Sequence, residues 1–86
     1  MNYQLHYDKL INRARNRKLE GYIEKHHIKP RCMGGDSSIW NIVSLTAEEH
    51  FIAHLLLVKI YPNHIGLITA VTLMITCGKR QNCKIM

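Results

Sequence analysis

The chain has 86 residues, room for one small domain whose limited core often needs a metal or disulfide staple. Twelve Lys and Arg face six Asp and Glu, a formal charge of +6 and a pI near 9.5, which favours a polyanionic partner, nucleic acid ahead of an anionic membrane. Three cysteines (Cys32, Cys77, Cys83) without a repeated CxxC exclude a disulfide framework and point to a reducing, cytoplasmic setting. The opening MNYQLHYDKL carries no apolar signal segment. The apolar runs 51–60 and 65–77, broken by Lys59, Pro62, Asn63 and His64, fall short of the roughly 18 residues a spanning helix needs, so no membrane partner is expected.

In chain order, residues 4–20 predict a helix. Leu10, Ile11 and Ala14 supply part of an apolar face, and Gly21 sits where a stop is expected. Lys9, Arg13 and Arg17 recur every four residues as one basic stripe, either a solvated face or a contact for phosphates. Residues 22–28, YIEKHHI, predict a short strand closed by Pro30, which cannot donate to a sheet ladder. A loop follows, in which Gly34 and Gly35 suit positive-φ turns, and Ile42–Leu45 predict a second strand. The connection is about a dozen residues long, and a loop of that length in a compact domain is usually functional. Thr46 with Glu49 three residues on forms a capping box that starts a helix, and Pro62 ends it. The large apolar residues Phe51, Ile52, Leu55, Leu56, Val58 and Ile60 read as its core-facing side. The last element, residues 64–77, is rich in β-branched residues but has a helix's length. Gly78 fits its cap, with a basic tail beyond.

The histidines carry the chemistry. His50 and His54, four apart on the capped helix, share one face one turn apart, as a helix offers two imidazoles to a divalent ion. His26 or His27 would supply a third. Three neutral imidazoles leave an ion's charge uncompensated and positions open, the pattern of a catalytic site and not a closed structural one. Neighbours on a strand point to opposite faces. The spare histidine is therefore free to take a proton from water on the far side of a phosphate, as in-line attack requires.

EKHHIKPRCMGG at 24–35, Asn41 in WNIVSL and TAEEHFIAH at 46–54 resemble the HNH nuclease family, in its His-His–Asn–His–His variety found in colicin-type DNases and phage homing-type endonucleases. The resemblance covers residues 24–57. It implies an α+β fold: a ββα-metal core hairpin plus helix over 22–61, flanked by a basic N-terminal helix (1–21) and a C-terminal helix and tail (62–86), all in one nuclease domain. It implies His26, His50 and His54 as metal ligands, His27 as general base, and Asn41 as the residue that tethers the loop and helps set the base's orientation. The activity implied is hydrolysis of DNA phosphodiesters, leaving 5′-phosphate and 3′-hydroxyl ends, with one divalent metal ion. Histidine at both variable ligand positions favours Zn²⁺, Ni²⁺ or Mn²⁺ over Mg²⁺. Arg13, Arg17, Lys29 and Arg31 are the expected DNA contacts, with the chain a monomer or homodimer in the cytoplasm of a bacterial or phage-infected cell. Cys32 is read as packing at the loop base, with a fourth-ligand role as the other option. The competing class is a catalytically eroded, metal-stapled DNA-binding or interaction module.

Overall fold

The computed structural model describes the backbone of residues 1–85 and the side chains of residues 1–76. Helix α1 (Tyr3–Arg15) leads into strands β1 (Glu24–His27) and β2 (Ile42–Leu45), then helices α2 (Ala47–Ile60) and α3 (Ile65–Ile85). The strands form an antiparallel hairpin that pairs Glu24 with Leu45, Lys25 with Ser44, His26 with Val43 and His27 with Ile42. The expected α+β architecture is therefore present, with a hairpin followed directly by a helix. No helix among the described residues is long and apolar enough to cross a membrane.

Helix α1 starts on Asn2, whose side chain accepts the Leu5 N–H, and ends on Asn16, five residues before the expected stop at Gly21. Asn16 donates from its backbone to Arg13 and Asn12 carbonyls and from its side chain to Asn12, satisfying the orphan carbonyls of the last turn. Gly21 serves instead as a bend at φ +82°, a left-handed conformation that glycine takes without cost, just before β1. The basic stripe breaks with the helix. Arg17 lies beyond its end and folds onto Glu49 of α2 through both terminal guanidinium nitrogens, Nη1 and Nη2, with Arg13 at 3.4 Å from the same carboxylate.

Helix α2 has the predicted capping box: Thr46 accepts from Glu49 N–H at 3.1 Å, and Glu49 accepts from Thr46 N–H at 3.0 Å. Its inward face matches the expected one only in part: Leu56, Val58 and Ile60 pack, partly buried, against the core. Ala53 and Leu57 are buried while Ile52 and Leu55 are exposed, so the stripe facing the interior is His50, Ala53, His54, Leu57. The helix is apolar nearly all round, and size and hydrophobicity of individual residues therefore do not mark its buried side. Helix α3 resolves the helix-or-strand question for the last element. Its bounds pass the Gly78 stop suggested by turn chemistry, and the side chains of Cys77, Cys83 and the basic tail lie outside the described residues.

The core joins Tyr7, Leu10, Ile11 and Ala14 of α1 to Val43 and Leu45 of β2, Ala53 and Leu57 of α2, and Leu67 of α3. Leu45 and Leu67 are the largest fully buried aliphatic side chains, each contributing about 1.5–3 kcal/mol by leaving water. Among the described residues, one polar side chain, His26, is fully buried in this apolar setting, at 1% exposure.

Candidate metal centre

His26 reaches the interior because strand alternation turns Glu24 and His26 toward α2 while Lys25 and His27 face away. His50 and His54 reach the same point from the first two turns of α2. Ligand-capable atoms of the three rings lie within 4.8 Å of one another, and the ring centroids are 4.9 to 5.2 Å apart, edge to face. Cys32 is not in this group. It packs against Gly66 at the start of α3, where a Cβ would come within 3.0 Å of its Sγ.

The donor set suits a divalent ion. Nδ1 of His26 and Nδ1 of His54 are buried with no hydrogen-bond partner, an arrangement that costs free energy unless something binds there. Burial, reinforced by the neighbouring imidazoles, pushes His26 down to about 3 and His54 down to about 4, so both are neutral and hold lone pairs at physiological pH. His50 receives a carboxylate: Glu24 Oε1 lies 2.7 Å from its Nδ1. An ionised carboxylate only accepts, so Nδ1 carries the proton and Nε2 is left to face a ligand, the usual partnership of a metal-binding histidine. The carboxyl of Glu24 is held below its ordinary range, first by the Tyr22 hydroxyl, which donates at 2.5 Å, and then by His50.

His27 occupies the opposite face of β1. It is half-buried, with Nε2 3.2 Å from Ser37 Oγ. No hydrogen bond joins it to Asn41. The Asn41 side chain accepts from Lys29 N–H at 2.9 Å and donates to the carbonyls of Lys29 (3.1 Å) and Asp36 (2.7 Å), while its own carbonyl accepts from Ile28 N–H at 2.8 Å. These bonds pin the two ends of the loop together, and Ser37, the residue after Asp36, is what meets His27. Gly35 makes the closure possible, since a Cβ there would lie 1.8 Å from the Lys29 carbonyl oxygen and 3.0 Å from Asn41 Nδ2. Of the two glycines only Gly34 takes positive φ, at +93°; Gly35 is required by space.

A cleft of about 340 Å³ opens beside the three-histidine group, lined by His27, His50, His54, Lys25 and Arg31 together with Gly66 and Leu67 of α3. Arg31 borders this cleft. Lys29 borders a separate cleft with Tyr7 and Tyr61. Arg13 and Arg17 sit around Glu49 on the α1–α2 side, and Arg17 is occupied by that pairing. Three neighbours of the site escaped the sequence reading. Glu24 was findable, because it precedes His26 by two and shares its strand face. Lys25 shares a face with His27 by the same rule. Tyr7 was not findable, since only the packing of α1 brings it near.

Comparison with known proteins points to phage endonucleases. No protein-family model matches the chain, and no solved structure matches it. It is 60% identical over 63 residues to the probable mobile endonuclease E of Enterobacteria phage T4, covering 72% of this chain and 45% of that protein. It is 52% identical over 75 residues to the probable mobile endonuclease D of the same phage (81% and 29%), and 54% identical over 66 residues to its probable mobile endonuclease B (71% and 25%). The chain thus spans less than half the length of these relatives, and what it shares with them is the greater part of itself, a stretch similar to proteins named as mobile endonucleases of a phage.

Proposed function

We propose that this chain carries the nuclease centre of an HNH-type, metal-dependent DNA endonuclease. The observation that bears most weight is the convergence of His26, His50 and His54, two of them with buried and unpartnered Nδ1 atoms, beside a separately held His27 on the other strand face. The names of the phage relatives support nuclease action on DNA; a cytoplasmic site of action is part of the same proposal.

In this reading His26, His50 and His54 hold one divalent ion. When bound, such an ion polarises a phosphoryl oxygen and stabilises the oxyanion that leaves. The remaining work belongs to the chain. A neutral His27 imidazole takes a proton from the attacking water, and its place across the strand from His26 suits a nucleophile that enters opposite the leaving group. Asn41 and Gly35 hold the loop so that Ser37 keeps the His27 ring in place. Lys25 and Arg31, on the cleft beside the histidines, attract and position the phosphate backbone, and Arg13 and Lys29 extend the positive surface.

The test is a supercoiled-plasmid assay with EDTA and a panel of Zn²⁺, Ni²⁺, Mn²⁺ and Mg²⁺, run beside His27→Ala. Metal-dependent nicking by the wild type, lost in His27→Ala although metal and DNA still bind, is the expected result. Wild-type protein that is loaded with metal and binds DNA yet never nicks would identify an eroded binding module instead.

A further inference from the structure

Helix α1 reaches the centre through one atom. The Tyr7 hydroxyl oxygen is 2.7 Å from Nε2 of His26 and 2.7 Å from the carbonyl oxygen of Ile28. Tyr7 is buried at 3% exposure, and its ring meets that of His26 edge to face. A backbone carbonyl can only accept, and a tyrosine hydroxyl has a single proton to give. That proton goes to Ile28. At 2.7 Å the remaining contact is favourable only if His26 donates, so Nε2 of His26 carries the ring's hydrogen and Nδ1 carries the lone pair. Nδ1 is also the atom found buried without a partner.

We propose that Tyr7 is a positioning residue of the metal centre: by accepting the Nε2–H of His26 it holds that ring in the tautomer that offers Nδ1 to the ion. The centre then has two tautomer-setting groups on different elements. Glu24, on β1, fixes His50 with Nε2 free; Tyr7, on α1, fixes His26 with Nδ1 free. The consequence is that α1 belongs to the chemistry of the site and is not merely a basic flank of the ββα core. Its anchor is double, since the same hydroxyl ties the helix to the backbone just beyond His27, at Ile28.

This inference rests on the metal reading, and its test separates the two. Long-range proton–nitrogen NMR of the metal-free wild type should show His26 protonated at Nε2 and bare at Nδ1. Tyr7→Phe removes only the oxygen and keeps the ring contact. In it the His26 preference should be lost, and zinc affinity, measured by competition with a chelating dye, should fall about 10- to 100-fold, with circular dichroism unchanged. His50→Ala gives the reference for a lost ligand. Nδ1–H at His26 in a zinc-binding wild type, or unchanged zinc affinity in a folded Tyr7→Phe, overturns the role of Tyr7 alone. A wild type with Nε2–H that takes up no zinc overturns the metal reading itself. Should Tyr7→Phe fail to fold, the wild-type tautomer still decides the matter.

Discussion

The two faces of β1 are built by different means. The face that carries His26 is closed by regular elements: α1 supplies Tyr7, α2 supplies His50 and His54, and the strand itself supplies Glu24. The face that carries His27 is closed by a loop, whose shape depends on one asparagine side chain and one glycine. A three-imidazole centre needs fixed distances, which helices and strands provide. A proton acceptor needs access to water and substrate, which an exposed loop provides. Separate construction means that the two functions should be separable by mutation.

His27→Ala and His50→Ala break the comparison most directly. Loss of a positioned general base should lower plasmid cleavage by roughly 10²- to 10⁴-fold while zinc binding is retained. His50→Ala should abolish both. Equal loss of metal in the two variants would show that the faces are not independent.

Gly35→Ala comes next. A Cβ 1.8 Å from the Lys29 carbonyl cannot be accommodated without moving the loop backbone. Overpacking of this kind costs about 1–3 kcal/mol, which denaturant unfolding would register. Cleavage should drop with His27 misplaced, whereas zinc affinity should stay near that of the wild type. Asn41→Ala should give the same pattern, since it strips the loop of three hydrogen bonds and touches no metal ligand.

Acid should act on the opposite face. The ordinary histidine value is 6.5, and the folded state holds His26 near 3 and His54 near 4. Below pH 6.5 the unfolded chain takes up protons that these two buried rings refuse. Metal-free stability should therefore be full above pH 6.5 and decline steadily as pH falls toward 4 and then 3. Thermal unfolding of metal-free protein across that range checks the sign. Stability that rose on acidification would contradict the buried, neutral state of these rings.

Arg17→Gln should have the smallest effect. Arg17 holds the Glu49 carboxyl down to about 2, and the pair is partly exposed, so its loss should cost about 0.2–1 kcal/mol. The contribution is present above pH 4.5 and disappears as pH falls through 2. Because Arg17 is already paired, its removal should leave the salt dependence of DNA binding nearly unchanged. Arg31→Gln, beside the cleft, should reduce the slope of that dependence by about 1. The reverse ranking would return Arg17 to the DNA-contacting set.

Much of the centre was legible before the fold. HxxxH on a capped helix fixes a shared face through the 3.6-residue period, and adjacent histidines on a strand diverge through the two-residue period. Both rules are local, and both hold in the structure. Local rules fared worse where competing contacts decide. Helix α1 stops at Arg15 because Asn16 caps it and because Arg17 has a carboxylate to reach on α2, 32 residues away. Size does not pick out the fully buried apolar residues of α2, Ala53 and Leu57, because a helix apolar on most sides takes its orientation from what it packs against.

The sequence by itself determined the α+β order of elements, the capping box at Thr46, and which histidines share a face, since each follows from backbone geometry within a few residues. Only the tertiary structure decided which ring nitrogens are free. Tyr7 and Glu24 lie 19 and 26 residues from the histidines they hold. A histidine's tautomer depends on which group sits at its other nitrogen, and it is packing across the chain that puts that group there.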